Sequence, residues 1–418
     1  MTEANTGLAM KRLRDALSHE QAGRFEEARA DAEAALEAFT EAGDRTGAAA
    51  SHQLLANLLL ETGALAAAMA HLDAATPLRE STGDREGLAA LLQARFEIAA
   101  HLGDPGRLQA DGVRLVRLYE QLSDRPGEAR ALHQLAQVLI ELGRPLDAVP
   151  LIERGLWLTD RAGEEQGRSA FLQLQARVDV AEGRQERALR QAREAARIAR
   201  QAGRRQILVD ALYQLGLLQH QAGALAEARA SLEESLDGRE LLRDLEGRAA
   251  TLAALGRVEA AMGLGREAVE RLTYAARTWA ELGEPGQQLE ALHEAGETAL
   301  SVGAVDRALA IAHQQIAAAD ALGDDTMRAA AWQVAGTRQI SVGQLEEAAV
   351  SFARCAERRA AAGQPAAQGV ALGMLGQILA ALGQHELAVH AVERGVALLR
   401  ATEPSAAAEL EAILDELR

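Results

Sequence analysis

The fold of this chain is decided by a 40-residue stretch, residues 124–163, which reads DRPGEARALHQLAQVLIELGRPLDAVPLIERGLWLTDRAG. Gly143 and Gly163 divide the stretch into two segments that are each long enough for a helix. Leu132 and Leu135 in the first segment belong to an apolar series with spacings of three and four, which lines one face of a helix. The second segment has an apolar series of the same kind. The stretch therefore predicts two helices, A and B, that are joined by a tight turn and have apolar faces to bury.

Glycine recurs along the chain with this period of 40 residues. The glycine between helices A and B stands at ten positions without insertion or deletion: Gly23, Gly63, Gly103, Gly143, Gly183, Gly223, Gly263, Gly303, Gly343 and Gly383. A second series, half a repeat later, is interrupted by Ser123 and Arg243 and consists of Gly43, Gly83, Gly163, Gly203, Gly283, Gly323 and Gly363. A glycine that follows a helix adopts the left-handed conformation without a Cβ penalty, so both series predict helix ends. At the next position, an aspartate is predicted to N-cap the following helix A at Asp44, Asp84, Asp124, Asp244 and Asp324.

These repeats predict an all-α protein, a right-handed α-solenoid of ten helix–turn–helix repeats plus a C-terminal capping helix. One hairpin alone cannot bury both of its apolar faces, whereas stacked neighbours can. We assign residues 1–5 to an N-terminal tail, residues 6–403 to the ten repeats in one continuous solenoid, and residues 404–418 to the capping helix. Leu410 and Leu414 lie on one face of this last segment, which suits it to close the end of the stack.

Small residues recur where helices A and B are expected to cross. The middle of helix A has Ala16, Ala56, Ala136, Ala176, Gly216, Gly256, Gly296, Gly336 and Gly376. An early position of helix B has Ala28, Ala68, Ala148, Ala188, Ala228, Ala268, Ala308, Ala348 and Ala388. In this pattern the chain resembles the tetratricopeptide-repeat (TPR) family over essentially its whole length, although the usual repeat has about 34 residues and a helix-ending proline that is absent here. The 40-residue unit resembles the variant of kinesin light chains, spindle-orientation adaptors and the sensor arms of bacterial transcription activators.

The third repeat departs from the pattern in a way that suggests an exchange of volumes. Phe96 stands at the small position of helix A, Leu108 replaces the helix B alanine, and Gly112 stands where a large residue is expected. We expect Gly112 to make room for Phe96, with a local distortion of the repeat. Pro105 and Gly106 in the same turn suggest a kink there. The alternative is a decayed and poorly ordered repeat.

Composition and charge restrict the classes of function. Hydrophobic residues make up 48% of the chain but aromatic residues only 3%, which favours a core of closely packed helices. The formal net charge of −17 disfavours nucleic acid and anionic membranes as partners. Cys355 is the single cysteine, so neither an internal disulfide nor a cysteine metal cluster is expected. No apolar signal-peptide segment stands near the start of the sequence, and we expect a cytoplasmic protein.

The sequence contains no motif that indicates catalysis. It has no P-loop, no G-x-S-x-G elbow and no H-E-x-x-H helix. The ten histidines are scattered, and His385 and His390 are five residues apart, which does not place two metal ligands on one helical face. We therefore expect a protein that is not an enzyme and that needs no cofactor or metal.

The resemblance to the TPR family implies a concave groove that is lined by helices A. The predicted groove residues form two rows, four positions apart on each helix, so that both rows share one face. They are Gln53, Asn57, Gln93, Glu97, His133, Gln137, Gln173, Arg177, Tyr213, Arg257, His293, Glu297, Gln333 and Gln377. Carboxamides both donate and accept hydrogen bonds, which suits them to an extended peptide backbone. Arg177 and Arg257 are expected to pair with acidic side chains or with a C-terminal carboxylate, unless the face is merely solvated.

A basic stripe is predicted on the convex side, on helix B of the fifth repeat. Residues 184–205 contain eight arginines and two glutamates. Five of these arginines are three or four residues apart and define the stripe: Arg187, Arg190, Arg193, Arg197 and Arg200. Equivalent positions of other repeats are mostly acidic, among them Glu33, Glu153 and Glu233. Such a stripe suits an acidic partner or the acidic face of a second copy in a homodimer, unless it is only a solvated surface.

The sequence thus favours a scaffold or adaptor that binds a peptide or helix of a partner protein in the concave groove. One alternative is a regulatory sensor that responds to a signalling peptide or a small ligand. The other is a structural module that assembles with copies of itself.

Overall fold

The computed structural model describes residues 2–418, and their side chains from residue 6 onward. The described residues form helices and turns but no strand, which confirms the all-α class. In this part of the chain, 21 helices follow one another as ten hairpins and a final helix. Their bounds are α1 Thr2–Gln21, α2 Phe25–Ala42, α3 Arg45–Glu61, α4 Leu65–Thr82, α5 Arg85–His101, α6 Pro105–Leu122, α7 Arg125–Glu141, α8 Pro145–Ala162, α9 Glu165–Ala181, α10 Gln185–Gln201, α11 Arg205–Gln221, α12 Leu225–Leu242, α13 Leu245–Ala261, α14 Gly265–Glu281, α15 Pro285–Ser301, α16 Val305–Leu322, α17 Asp325–Ser341, α18 Leu345–Ala361, α19 Pro365–Ala381, α20 His385–Leu399 and α21 Pro404–Leu417. The odd-numbered helices from α1 to α19 are helices A, and the even-numbered ones are helices B.

The turns adopt the conformation that the glycine series predicts. Seventeen glycines have a positive φ, between +64° and +78°, and each of them follows a helix. Ser123 and Arg243 adopt the same conformation, with φ of 55° and 56°. A side chain in this conformation carries a steric cost of about 1–2 kcal/mol. The repeat therefore keeps its turn geometry even at the two positions where the sequence lacks glycine.

The predicted aspartate caps are present. Asp44 Oδ1 accepts a hydrogen bond from the backbone N–H of Gly47 at 3.0 Å. The same kind of bond is made by the other four predicted caps, Asp84, Asp124, Asp244 and Asp324. Each cap satisfies one of the N–H groups that a helix leaves without a partner in its first turn.

Helices A and B of one hairpin approach closely where the sequence has small residues. The nine predicted helix B alanines, from Ala28 to Ala388, are all fully buried. At Gly256, an added Cβ would lie 2.6 Å from Leu272 Cγ and 3.2 Å from the carbonyl oxygen of Ala268. A larger side chain at this position would push the two helices apart. The close approach therefore determines which face of helix A is buried. The residue that follows each small residue, such as Arg257 after Gly256, lies toward the surface.

Phe96 and Gly112 exchange volumes as predicted. Phe96 is buried, with 7% of its surface exposed. Its Cε2 atom lies 3.4 Å from the point that a Cβ of residue 112 would occupy, and Leu135 Cδ1 lies 3.0 Å from the same point. Pro105 is the first residue of α6, and Asp104 caps that helix. A proline at the first position breaks no helical hydrogen bond, and α6 is one continuous helix from Pro105 onward, so Pro105 does not interrupt it.

The helices group into two compact units, Met1–Ile207 and Leu208–Arg418, which we call unit 1 and unit 2. Within unit 1 each helix from α1 to α9 packs on the next one, and within unit 2 the same holds from α12 to α20. Leu410 and Leu414 of α21 are buried against the end of unit 2, as expected of a capping helix. Helix α1 begins at Thr2, within the segment 1–5 that is assigned to a tail from the sequence. One continuous solenoid through all ten repeats stays a prediction.

Candidate functional site

The predicted rows of unit 1 lie at the surface of its helices A. We call them the A-helix face of unit 1, defined by Gln53, Asn57, Gln93, Glu97, His133, Gln137, Gln173 and Arg177. Each helix contributes two of these residues, four positions apart. Asn57, Glu97 and Gln137 are exposed, whereas the other five are half-buried. Residues four apart on a helix have neighbouring side chains. The face is therefore a partly sheltered polar surface.

Helices α7 and α9 bring their rows together, because they contact each other directly. The ring of His133 packs edge-on against Phe171, with 5.5 Å between the ring centroids. Burial, and then the positive charge of Arg177, lower the pKa of His133, so the imidazole is neutral near neutral pH. Arg177 has no ion pair within the described part of the chain. The face thus presents a neutral imidazole beside an unpaired cation.

The amides of this face differ in their hydrogen bonds. Gln93 Nε2 donates to Glu97 Oε1 at 3.0 Å, and Gln137 Nε2 donates to Glu141 Oε1 at 3.0 Å. Gln93 Oε1 is buried and accepts no hydrogen bond from the residues that the structure describes. A buried acceptor without a donor costs about 1–3 kcal/mol. Gln93 Oε1 is thus an unsatisfied acceptor inside the fold and is not exposed to a ligand at the surface.

Two other predicted amides are held by arginines from helices B. Gln53 Oε1 accepts a hydrogen bond from Arg79 at 3.3 Å, and Gln333 Oε1 accepts one from Arg359 at 3.5 Å. Arg79 and Arg359 occupy equivalent positions of their repeats. A carbonyl oxygen retains a second lone pair after one such bond. These amides are thus partly used inside the fold, which the sequence pattern does not reveal.

The corresponding rows in unit 2 define the A-helix face of unit 2. Its predicted residues are Tyr213, Arg257, His293, Glu297, Gln333 and Gln377. Arg257 is expected from the sequence to be available to an acidic ligand, but Arg257 Nε lies 2.8 Å from Glu294 Oε2 and Arg257 Nη2 lies 3.1 Å from Glu290 Oε1. Arg257 is therefore neutralised by α15. The guanidinium carbon of Arg239 lies over the ring of Tyr213, 5.5 Å from the ring centroid. Burial raises the pKa of Tyr213.

A cleft of about 400 Å³ opens between α15, α16 and α17 in unit 2. It is lined by Gly286, Leu289, Glu290, His293, Gln315, Leu322, Met327, Ala330, Ala331 and Val334. Of the predicted groove residues, His293 lines the cleft. Glu297, one turn further along α15, accepts a hydrogen bond from Arg338 at 3.3 Å. Gln315 and Arg338 are not among the predicted residues. The sequence feature that could have revealed these two residues is the arginine at position 338, where most other repeats have an aliphatic residue such as Val258.

The basic stripe lies at the surface of α10, in unit 1. All five of its arginines are exposed: Arg187, Arg190, Arg193, Arg197 and Arg200. Arg197 pairs with Glu194 at 2.6 Å, and Arg190 lies 3.8 Å from Glu186. Arg193 has no ion pair in the part of the chain that the structure describes. The stripe therefore keeps a positive charge at its centre.

Side chains that commonly perform chemistry are dispersed or buried. Within residues 2–418, no group of three or more His, Cys, Asp or Glu side chains is placed to hold a metal ion. Cys355 is buried, and burial raises the pKa of its thiol, which makes it a poor nucleophile. None of the described helices combines the length and the apolar character that crossing a membrane requires.

No protein-family model matches the sequence, and no curated protein matches it. Among solved structures, a signal-transduction ATPase from Pyrococcus horikoshii with a tetratricopeptide-repeat sensor is similar over 88% of this chain and 54% of its own length, with 15% identity and a TM-score of 0.53. A putative kinesin light chain from Podosopora anserina with TPR-like repeats is similar over 44% of this chain and 92% of its own, with 22% identity and a TM-score of 0.39. A Rap protein in complex with competence and sporulation factor is similar over 88% of this chain and 99% of its own length, with 14% identity and a TM-score of 0.46.

Proposed function

From the tetratricopeptide-repeat fold of the chain, we propose that it is a non-enzymatic scaffold that binds a peptide or a helix of a partner protein. The binding surface is the A-helix face of unit 1. Four helices A contribute paired polar side chains to it. A repeat fold of this kind offers an extended surface rather than an enclosed pocket, which suits a chain-like ligand.

The observation that carries this proposal is the presence of an unpaired cation and of exposed amides on that face. Arg177 lacks an ion pair among the described residues. Asn57 is exposed on α3, and Gln137 is exposed on α7, which contacts the helix of Arg177. A peptide backbone supplies one donor and one acceptor at nearly every residue. An acidic side chain or a C-terminal carboxylate of the ligand supplies the partner for Arg177.

The test uses three forms of the full chain as bait for partner capture. The test variant carries Gln137→Ala and Arg177→Ala. The control variant carries Gln121→Ala and Arg117→Ala, which removes the same two side-chain types from the exposed surface of α6, a helix B. A hydrogen bond to a charged group contributes about 1.5–3 kcal/mol, so we expect the test variant to bind the captured protein at least about tenfold more weakly. Equal capture by all three forms contradicts the proposal.

A second candidate function is self-association through the basic stripe of α10. The favouring observation is the unpaired, exposed Arg193 in a chain whose residues 208–418 contain 30 acidic and 17 basic side chains. Opposite charges on two copies attract each other and set their orientation. The arginine stripe of one copy is thus complementary to the acidic unit 2 of another.

This second candidate is tested by sedimentation of the full chain at low and high salt. The test variant reverses the charge at Arg190, Arg193 and Arg197. The control variant reverses the charge at the exposed first residues of α3, α5 and α7, which are Arg45, Arg85 and Arg125. We expect a wild-type dimer that dissociates at high salt, a monomeric test variant and a dimeric control. A monomeric wild type, or a dimeric test variant, rules out this function.

A further inference from the structure

The cleft of unit 2 has an apolar wall that distinguishes α17 from the preceding helix A. Met327 and Val334 of α17 line the cleft, and Met327 is 43% exposed. The residues 40 positions earlier, on α15, are Gln287 and Glu294. A large apolar side chain that is exposed beside a concave recess is typical of a ligand site. The apolar wall therefore distinguishes α17 from α15.

A buried arginine orients the amide of Gln315 at this cleft. The guanidinium of Arg338 is 2% exposed, and it donates to Gln315 Oε1 at 3.2 Å and to the carbonyl oxygen of Ala308 at 3.1 Å. Because a guanidinium is a donor only, the amide of Gln315 must turn its oxygen toward Arg338. Its Nε2 group makes no hydrogen bond with the described residues and remains as a donor for the cleft.

Both of these polar residues are unusual for their positions. The fold has small Ala275 at the position equivalent to Gln315, and aliphatic Val258 at the position equivalent to Arg338. Burial lowers the pKa of Arg338, and its hydrogen bond to Glu297 opposes this shift. Burying a guanidinium is unfavourable unless its charge and its hydrogen bonds are fully compensated. Arg338 holds the amide of Gln315 in one orientation, which prepares its Nε2 group to donate to a ligand, and this role accounts for the two residues where packing alone does not.

The surroundings of the cleft favour a positively charged ligand. Residues 208–418 contain 30 Asp and Glu against 17 Lys and Arg. Glu290 lines the cleft, and its side chain is 65% exposed. Arg257 contacts Oε1 of Glu290, which leaves Oε2 available to a second cation. An acidic surface attracts basic segments and repels acidic ones.

We infer that this cleft binds a peptide segment that presents an aliphatic side chain next to a lysine or an arginine. The aliphatic side chain packs against Met327 and Val334, Gln315 donates to a backbone carbonyl of the peptide, and the basic side chain pairs with Glu290. The volume of about 400 Å³ lies within the usual range for ligand pockets. The inference rests on the proposed function, because both place a peptide against helices A, but its residues belong to unit 2 and include Gln315 of α16, a helix B.

The test measures the fluorescence anisotropy of three labelled peptides of equal length with the full chain. One peptide alternates Leu and Arg, the second alternates Ala and Arg, and the third alternates Leu and Glu. We expect the Leu–Arg peptide to bind at least about tenfold more tightly than either of the others, since only it provides both the apolar and the cationic groups. Equal affinity of the three peptides, or no binding of the Leu–Arg peptide, overturns the inference.

Variants locate the binding of the Leu–Arg peptide. Ala330→Arg introduces a positive charge into the cleft wall, which repels the basic side chain of the peptide, and Gln315→Leu removes the amide donor at similar volume. The control is Val370→Arg, which adds the same charge at the equivalent and exposed position of α19. We expect about tenfold weaker binding for Ala330→Arg, about fivefold weaker for Gln315→Leu, and no change for the control.

Two outcomes separate this inference from the proposed function. If Gln137→Ala with Arg177→Ala abolishes peptide binding while Ala330→Arg leaves it unchanged, the peptide binds to unit 1 and the inference fails while the proposed function stands. If Ala330→Arg weakens binding and the unit 1 variant still captures its partner as wild type does, the inference holds without the proposed function. Circular dichroism verifies that each variant is folded. Should Ala330→Arg not fold, Glu290→Arg replaces it, and an unchanged preference for the Leu–Arg peptide then overturns the inference.

Discussion

The contact between Phe96 and Gly112 can be tested with a double-mutant cycle. Gly112→Ala places a Cβ 3.0 Å from Leu135 Cδ1 and 3.4 Å from Phe96 Cε2. Such overpacking costs about 1–3 kcal/mol. The exchange of Gly for Ala inside a helix gains about 1 kcal/mol. We therefore expect the free energy of unfolding to fall by about 0–2 kcal/mol in the single variant.

The sign of this effect should reverse when the ring is absent. Phe96→Ala alone is expected to cost about 3–5 kcal/mol, because Phe96 is buried. In that background Leu135 can move into the vacated volume, so that Gly112→Ala gains about 1 kcal/mol from helix propensity. The coupling energy between the two sites is then about 1–3 kcal/mol.

Urea unfolding of the four proteins, followed by far-UV circular dichroism, measures this coupling. Because neighbouring repeats unfold in groups, hydrogen exchange of α5 to α7 assigns the losses to the third and fourth repeats. Gly286→Ala is the control, since its added Cβ meets no atom within 4 Å. It should have the same effect with and without Phe96. Strict additivity of Phe96→Ala and Gly112→Ala would refute the exchange of volumes.

Three further predictions concern local features. Ser123→Gly relieves the side chain at φ 55° and should raise the free energy of unfolding by about 0.5–1 kcal/mol in thermal melts, whereas a lower melting temperature speaks against a strained turn. Asp44→Ala removes the 3.0 Å bond from Gly47 N–H and should cost about 1 kcal/mol in urea unfolding, with Asp44→Asn close to wild type. His52 and His71 share a 2.9 Å Nδ1–Nδ1 contact, and burial lowers the pKa of both, more than the nearby Glu33 raises that of His71. The contribution of this neutral pair to the free energy of unfolding is therefore fully present above the unfolded pKa of about 6.5 and is lost as the pH falls below it. Between about pH 7.5 and 5.5, the free energy of unfolding should fall less in His71→Gln than in wild type.

The fold follows from the sequence because glycine and aspartate mark the ends of many helices. Gly43 follows the end of α2, and Asp44 caps the beginning of α3; aspartate has this role at five of the helices A. Small residues such as Gly256 fix which face of helix A is buried. The exchange between Phe96 and Gly112 is also visible in the sequence, since a period of 40 residues shows which position has the wrong volume. Periodicity thus determines helix ends and buried faces.

Side-chain partners at the surface do not follow from periodicity. The structure leaves the predicted residues of helix A exposed or half-buried, and the pairing of Arg257 with Glu290 and Glu294 joins residues more than 30 positions apart. Such a pair depends on the spacing between neighbouring helices and on the reach of a long side chain. The cleft at Gln315 and Arg338 depends on the same distances. These features therefore become visible only when three helices are assembled.

The central claim, that helices A of unit 1 hold the partner, is tested most directly by site-specific photo-crosslinking. A photoreactive amino acid replaces Gln137 on α7 in one protein and Gln121 on α6 in another, and both positions are exposed. We predict that the captured partner is crosslinked to residue 137 and not to residue 121. Crosslinking at residue 121 without crosslinking at residue 137 would contradict the account, because the partner would then lie on helices B.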